Sequence, residues 1–293
     1  MSIDPGPSLM EAAAYAERFR DQRVVIKLGG ELLDSDAVLA RLIPQIEVLY
    51  RLGLQPLLVH GGGVQVDRAC QERGIDFEKR GGRRITSKAV LHTLIEVVGE
   101  QLNGRIRAGL DAADLPSLGF GNGLSAAIAC NRRAPTIDAH GDTIDWGEVG
   151  DVQSVNTRLL EPEPGQPWQV PVLPSLGQLE DGNLVNVNAD SVASQLAIAS
   201  GAIKLVLLTG VAGVMPHPGA AGPISELRAG ELQDMLDSGI ASGGMRAKLQ
   251  EGLRALQGGV PRVHIISGRA PFTLLRELFT REGCGSLLLP DGT

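Results

Sequence analysis

Lys27 sits inside an apolar run, Val25, Ile26, Lys27, Leu28, with one residue between it and the pair Gly29-Gly30. A buried ammonium is costly unless an anion faces it. Lysine at this position therefore points to a bound anion or to a carboxylate partner. A second lysine, Lys248, lies one helical turn beyond Gly243-Gly244 in the string GGMRAK. A helix N-terminus there adds positive potential of its own. Asp190 ends the string NVNAD and opens a helix. It serves either as an acid of the first helical turn or as a carboxylate that holds two lysines. Lys79, Arg80, Arg83 and Arg84 form a basic cluster in an acidic chain. Its guanidinium groups suit the clamping of a carboxylate.

Glycines supply the other half of this chemistry. Gly29-Gly30 and Gly61-Gly62-Gly63 each follow a β-prone run. Ligands of open parallel sheets bind at the carboxyl ends of strands, where glycine lets backbone N–H groups approach an anion. A turn would explain one such cluster, whereas two placed alike point to an anion cradle. The phosphate signatures GxxxxGK[ST] and GxGxxG are absent from the sequence. Asp138, His140, Asp142 and Asp145 have the composition of metal ligands, but their turn-rich surroundings imply no ligand geometry. They read as a surface loop, and no metal site is expected. His60, His92, His217 and His264 are dispersed, and no Ser/His/Asp or Cys/His set emerges from their order.

The elements that must position these groups alternate. Strands are expected at Arg23–Leu28, Gln55–His60, Val170–Pro174, Ile203–Leu208, Arg262–Ile266 and Ser286–Leu289. Helices are expected at Ser8–Arg20, Asp36–Leu52 with a kink at Pro44, Val64–Arg73, Ser87–Leu110, Asp190–Ser200, Ser225–Leu236, Gly244–Leu256 and Pro271–Thr280. Strand–glycine–helix units in series mark a parallel sheet covered by helices. Residues 115–156 change character into short pieces broken at Asn122-Gly123, Ala139-His140-Gly141 and Trp146-Gly147, which read as hairpins. EPEPGQP, at residues 161–167, reads as a surface loop.

Composition narrows the function. The 293 residues carry 27 Lys plus Arg against 34 Asp plus Glu, a net charge of −7. Such a chain lacks the basic surface that general nucleic-acid binding needs, and 3% aromatics give few stacking platforms. Cys70, Cys130 and Cys284 stand far apart, without a CxxC pair, and read as reduced thiols. MSIDPGPSL has neither the basic nor the apolar region of a secretory signal, and no apolar run approaches the roughly 20 residues of a membrane span. A cytoplasmic protein that contacts no membrane is expected.

Taken together, the strings VIKLGGELLD, VHGGGVQVD, RRIT, GEVGDVQSVN, NVNADSVA, LLTGVAGV, GGMRAKL and HIISGR…LLRELFTREGCGS resemble the amino acid kinase family. They run in the family's order and cover nearly the whole chain. The resemblance implies a three-layer α/β/α sandwich with a mostly parallel central sheet in two lobes. Residues 1–22 would form an oligomerising helix, 23–178 an amino-acid substrate and dimerisation lobe, and 179–293 an ATP-binding lobe. The implied reaction is transfer of the terminal phosphoryl group of ATP, accompanied by Mg²⁺, to the γ-carboxylate of N-acetyl-L-glutamate. Lys27 and Lys248 would neutralise the phosphoryl group, and Asp190 would hold both lysines. Gly62, Gly63, Arg84 and Asn186 would bind the substrate. Gly29, Gly30, Thr209, Gly210, Gly243 and Gly244 would bind the nucleotide, with Gly29, Gly30, Gly62 and Gly63 acting through their backbone N–H groups. His264, Glu277 and Gly283 would match an L-arginine effector site in a homo-oligomer, a dimer or a hexamer linked by the leading helix with its stripe Leu9, Ala12, Ala16, Phe19.

Three positions depart from the family's pattern. Val64 follows HGGG where Pro is frequent, Gly210 stands where Asp is usual, and Arg83 replaces a usual leucine. The extra arginine leaves room for a glutamate or 2-aminoadipate attached to an acidic carrier protein. A different class, an inactive arginine-sensing subunit, would be expected to lose a phosphate-handling lysine, and this chain keeps both.

Overall fold

The computed structural model describes residues 17–120, 124–138, 141–217, 219–239, 241, 243–280 and 282–292. Leu9, Ala12 and Ala16 of the expected leading helix, the turn Asn122-Gly123 and His140 lie outside the described residues. The strands in chain order are β1 (Arg23–Leu28), β2 (Gln55–His60), β3 (Lys79–Arg80), β4 (Arg83–Arg84), β5 (Ser117–Leu118), β6 (Ile128–Arg132), β7 (Thr136–Ile137), β8 (Thr143–Ile144), β9 (Gly150–Val155), β10 (Val170–Pro174), β11 (Leu176–Gln178), β12 (Leu184–Asn186), β13 (Lys204–Thr209), β14 (Glu226–Arg228), β15 (Val263–Ser267) and β16 (Ser286–Leu289). The α-helices are α1 (Asp36–Arg51), α2 (Gly63–Glu72), α3 (Lys88–Leu94), α4 (Asn103–Ala112), α5 (Ala189–Ala199), α6 (Ala229–Asp237), α7 (Gly243–Gln257) and α8 (Thr273–Phe279).

One eight-stranded sheet runs in the order β14-β16-β15-β13-β1-β2-β10-β5. Every pairing in it is parallel except β15 with β16. Strand β1 is central, bonded to β13 on one side and β2 on the other. Its side chains alternate between faces, as strand geometry requires. Val24, Ile26 and Leu28 join the apolar cluster with α1, α4 and α8, while Val25 joins the cluster with α5, α6 and α7. The sheet thus has helices on both faces, the expected α/β/α sandwich. Lys27 shares the parity of Val25 and so projects toward α5 and α7.

A second sheet, β12-β11-β6-β9, contains the hairpin-rich region. It is antiparallel apart from β11 with β6. The leading stripe keeps one described member, Phe19, which packs partly buried against the main core.

Helix α1 starts at Asp36, where the sequence places it, and includes Pro44. Two elements differ from expectation. Ser225–Leu236 is not all helix, because Glu226–Arg228 pairs with β16 as the edge strand β14 before α6 begins. Edge pairing depends on a distant partner, so helical periodicity alone misreads those residues. Between α3 and α4 the long helix adopts a π-helical stretch, Ile95–Leu102. Such widened turns are rare and cluster at functional sites. Here Val98 and Leu102 press under Gly62, where an added Cβ would come within 2.7 Å of both.

Candidate active site

Asp190 is in the first turn of α5, whose N-terminus is capped by the Asn188 side chain accepting from the N–H groups of Asp190 and Ser191 at 2.8 and 3.2 Å. The cap fixes where the aspartate points. One oxygen, Oδ1, lies 3.0 Å from Lys27 Nζ, and Oδ2 lies 3.0 Å from Lys248 Nζ. Lys27 is 6% exposed and Asp190 5%. Burial works to raise the Asp190 pKa, but the two ammonium groups outweigh it and hold the carboxyl below its ordinary value. A lone carboxylate cannot balance two lysines, so this cluster carries surplus positive charge. Glu251 on α7 locks the arrangement: its Oε1 accepts from Ser191 Oγ at 2.7 Å and its backbone carbonyl from Ser194 Oγ at 3.0 Å. Both contacts tie α7 to α5 and set Lys248 against Asp190. Sequence reasoning missed Glu251, which no motif marks.

A cleft of about 250 Å3 starts at Lys27 and Asp190 and ends at Arg84. Its floor is the glycine loop after β2. His60, fully buried, anchors that loop: its Nδ1 lies 3.1 Å from the Gly61 carbonyl and its Nε2 lies 3.1 Å from Asn103 Nδ2. This network suits a neutral ring that donates from Nδ1, and burial accordingly pushes the His60 pKa down to about 4. The backbones after β1 and β2 nearly touch. An added Cβ on Gly30 would lie 3.3 Å from the amide nitrogens of Gly62 and Gly63, so a side chain there would cover both N–H groups.

At the far end, β3 and β4 form a two-residue hairpin through Gly81 and Gly82, both at positive φ (55° and 77°). Two such residues in sequence suit a tight turn of this kind. The hairpin delivers Arg84, 8% exposed, into the cleft. Three contacts fix its guanidinium: the Gly63 carbonyl at 2.8 Å, Asp67 Oδ1 at 2.7 Å and the Phe77 ring at 4.7 Å. Asp67 also pairs with Lys79. It is a second residue that sequence reasoning left without a role, although it closes the string VHGGGVQVD one turn into α2. Asn186 lies opposite and donates from Nδ2 to Thr86 Oγ1 at 2.9 Å. Gly147 makes this alignment possible, since at φ 65° an added Cβ would collide with the Thr86 carbonyl at 2.4 Å. Arg83 lines the same cleft, and its side chain has no ion pair or hydrogen bond among the described residues. Burial and then nearby Arg133 lower its pKa.

The structure therefore brings together Lys27, Lys248 and Asp190, and sets Gly30, Gly62, Gly63, Arg84 and Asn186 around one cleft. The expectation for Gly29 needs correction. Its N–H donates to the Leu208 carbonyl at 3.0 Å, because the parallel ladder between β1 and β13 continues one residue past the strand. Gly29 therefore contributes space, not a donor. Thr209 and Gly210 lie at the carboxyl end of β13, where both meet the Glu31 carboxylate. Gly243 begins α7 at φ 54°, and both Gly243 and Gly244 face open space.

His264 and Glu277 form a separate buried cluster, His264 Nδ1 lying 2.7 Å from Glu277 Oε1. The other oxygen accepts from the N–H groups of Cys284 and Gly285 at 2.7 and 3.2 Å. Gly283, at φ 61°, leaves room for that carboxylate. Lys204, 3% exposed, adds a cation that burial, then Arg262, pushes down to about 8. It also reaches the Phe19 ring at 5.8 Å. Asp138 and Asp145 serve turns, accepting from the N–H groups of Asp142 and Gly147. Among the described residues no group of three or more His, Cys, Asp or Glu is gathered to hold a metal, and no helix is long and apolar enough to cross a membrane.

Comparison with known proteins places the whole chain among relatives. An acetylglutamate kinase of Myxococcus xanthus is 35% identical over 99% of this chain and 96% of its own length. One of Bifidobacterium adolescentis is 36% identical over 97% of this chain and 88% of its own. Among solved structures, N-acetylglutamate synthase from Neisseria gonorrhoeae, complexed with coenzyme A and L-arginine, superposes with a TM-score of 0.78 at 27% identity, over 96% of this chain and 64% of that one. The model of the amino acid kinase family matches residues 22–267, and the chain belongs to that family.

Proposed function

We propose that this chain transfers the terminal phosphoryl group of ATP to the γ-carboxylate of N-acetyl-L-glutamate, forming an acyl phosphate and ADP, as a step in arginine biosynthesis in the cytoplasm. One observation carries the reading: a carboxylate holding two lysines at one end of a cleft that ends in a fixed arginine. Arg84 and Asn186 bind the α-carboxylate and the acyl-amino end of the substrate, and the γ-carboxylate then faces Lys27. That carboxylate is already ionised at neutral pH, so the attack on phosphorus needs no general base. The demand is positioning and neutralisation of charge. Lys27, Lys248 and the free N–H groups of the glycine loop meet it, and Asp190 keeps the ammonium groups apart and aimed.

Mg²⁺ would arrive with ATP and would shield the charge of its phosphates, since among the described residues no group of three or more His, Cys, Asp or Glu is gathered to hold it alone. The nucleotide is held chiefly by residues 179–293, reached through Thr209, Gly210, Gly243 and Gly244. The amino-acid substrate is held chiefly by residues 23–178, with Asn186 contributed from beyond them. Hydroxamate formation from N-acetyl-L-glutamate, ATP and hydroxylamine tests the reaction. Its absence, with turnover of a carrier-linked glutamate or 2-aminoadipate, would favour the second reading. Arg83, unpaired at the cleft, speaks for that alternative. No turnover of either substrate would leave an arginine-sensing subunit.

L-arginine inhibits through the second cluster in a hexamer built from dimers. Two observations support this: His264 presents a buried Nε2 with no donor facing it among the described residues, and the Glu277 carboxylate beside it supplies negative charge. Light scattering and inhibition by millimolar arginine test this. Deleting residues 1–20 is expected to leave an active dimer with weakened inhibition.

A further inference from the structure

Glu31 follows the glycine pair of β1, and its carboxylate folds back over it. Its Oε1 accepts from the Gly210 N–H at 2.9 Å and from Thr209 Oγ1 at 3.2 Å. Both carboxylate oxygens lie where an added Cβ on Gly29 would come within 2.7 Å. Burial works to raise the Glu31 pKa, but its own backbone N–H, Lys27, the Gly210 N–H and Lys248 together hold it below the ordinary value. An anion is thus already seated at the carboxyl ends of β1 and β13, beside the two lysines.

We propose that Glu31 is an internal stand-in for phosphate, occupying the donors of Thr209 and Gly210 until a phosphate chain displaces it. The proposal rests on the reading that this end of the cleft takes ATP. Two physical points support it. A backbone N–H donates one strong hydrogen bond, so the carboxylate and a phosphate oxygen compete for Gly210. The charges point the same way: two ammonium groups against Asp190 leave one positive charge and the Arg269 guanidinium stands beside Gly210, so an anion at Glu31 is favoured in the ligand-free state. With phosphate in place the carboxylate would face an anion instead. Only the side chain has to move. The neighbouring backbone is tied by the N–H groups of Leu32 and Leu33 to the carbonyls of Gly29 and Gly30 at 3.0 and 3.1 Å, and both leucines are buried. Glu31 itself is half-buried, at the edge of solvent.

Calorimetric titration of the full chain with inorganic tripolyphosphate, and separately with AMP-PNP, each with and without magnesium, tests the idea. Wild type is compared with Glu31→Gln, Glu31→Ala and Gly29→Ala. Gly29 is not at positive φ, so its alanine variant tests the space alone, its methyl standing 2.7 Å from where both carboxylate oxygens lie. Tripolyphosphate is expected to bind about 10-fold tighter to Glu31→Ala, the factor that follows when the open nest is populated about a tenth of the time, and weaker to Gly29→Ala, whose methyl obstructs carboxylate and phosphate alike. Glu31→Gln keeps the hydrogen bonds without the charge and falls between wild type and Glu31→Ala. Equal affinity in all four proteins, or no binding to any, overturns the proposal. Weaker binding in Glu31→Ala that requires magnesium also overturns it, by making Glu31 a partner of the metal-bearing phosphate. If tripolyphosphate discriminates as expected but no protein binds AMP-PNP, the ATP reading fails and the stand-in survives. If AMP-PNP binds and tripolyphosphate does not discriminate, the reverse holds.

Discussion

Two buried carboxylates, Asp190 and Glu277, meet cations in opposite proportion. Asp190 faces two lysines, each at 3.0 Å, so this trio carries one surplus positive charge, against which the Glu31 carboxylate is seated. Glu277 faces His264 at 2.7 Å and two backbone N–H groups. Burial lowers the His264 pKa despite the carboxylate beside it, so the ring is neutral at pH 7 and the pair itself keeps one negative charge, with the buried Lys204 ammonium as the cation of the same cluster. Both carboxylates stay ionised for related reasons, close donors outweighing burial, yet the function proposed above gives the first region an anion and the second a cation. The number of formal cations each carboxylate meets directly, two ammonium groups against a neutral ring, tells the two apart.

The largest expected effects lie in the first region. Lys27→Ala or Lys248→Ala should lower kcat by about 10²-fold or more with smaller changes in KM, because each neutralises charge that develops in the transition state. Asp190→Asn should do the same, since it leaves two ammonium groups without the anion that aims them. Steady-state kinetics of variants shown to be folded would settle this, and near-normal turnover would remove the surplus-charge argument. Arg84→Ala should raise KM for N-acetyl-L-glutamate by roughly 30-fold, the equivalent of about 2 kcal/mol for a shielded charge-assisted contact. The KM for ATP should hardly move. If ATP binding weakens instead, the two ends of the cleft have been assigned the wrong way round.

The second region should respond more mildly, through inhibition and stability. Glu277→Gln removes the negative charge but keeps one acceptor, so arginine inhibition should weaken by about 10-fold or more while kcat without arginine holds. His60 and His264 both have lowered pKa values in the fold, mainly from burial. The unfolded chain therefore takes up protons first as pH falls below about 6.5. Both histidines contribute stability fully above that pH, and for His60 it is lost by about pH 4. Denaturant titration between pH 7 and pH 4 should show the decline, on the order of 3 kcal/mol for His60. A His264→Gln variant should show a shallower slope than wild type. The smallest effect expected is that of Arg83→Leu, which should leave N-acetyl-L-glutamate kinetics within about 2-fold, as for other exposed substitutions. A loss confined to carrier-linked substrates would move the reading to that alternative.

Much of the site was legible before any coordinates. Lys27 announced itself as a charge in an apolar strand, and Asp190 and Lys248 stood beside helix starts. Arg84 lay in a basic cluster that proved to be a hairpin because Gly81 and Gly82 permit its turn. Asp67 and Glu251 escaped notice. Each acts by holding another charged group, and neither spacing nor composition distinguishes such an acid from a solvated one. The donor role expected of Gly29 failed because a ladder bond to Leu208 depends on how far β13 runs alongside β1. Gly210 likewise takes its meaning from Glu31. The Glu31 Cγ and the Arg269 Nε both lie 3.2 Å from where a Cβ at 210 would stand, so the usual aspartate would crowd both.

By itself the sequence determined most of the elements, their alternation and the parity that turns Lys27 toward one face of the sheet, but not the edge strand Glu226–Arg228. These follow from local periodicity and from the cost of burying charge, both carried by neighbouring residues. Only the tertiary structure decided which charges share a carboxylate, which glycine N–H groups remain free, and that the π-helical stretch seats Val98 and Leu102 beneath Gly62. Those outcomes depend on approaches of about 3 Å between segments far apart in the chain, and local pattern does not encode distances at that scale.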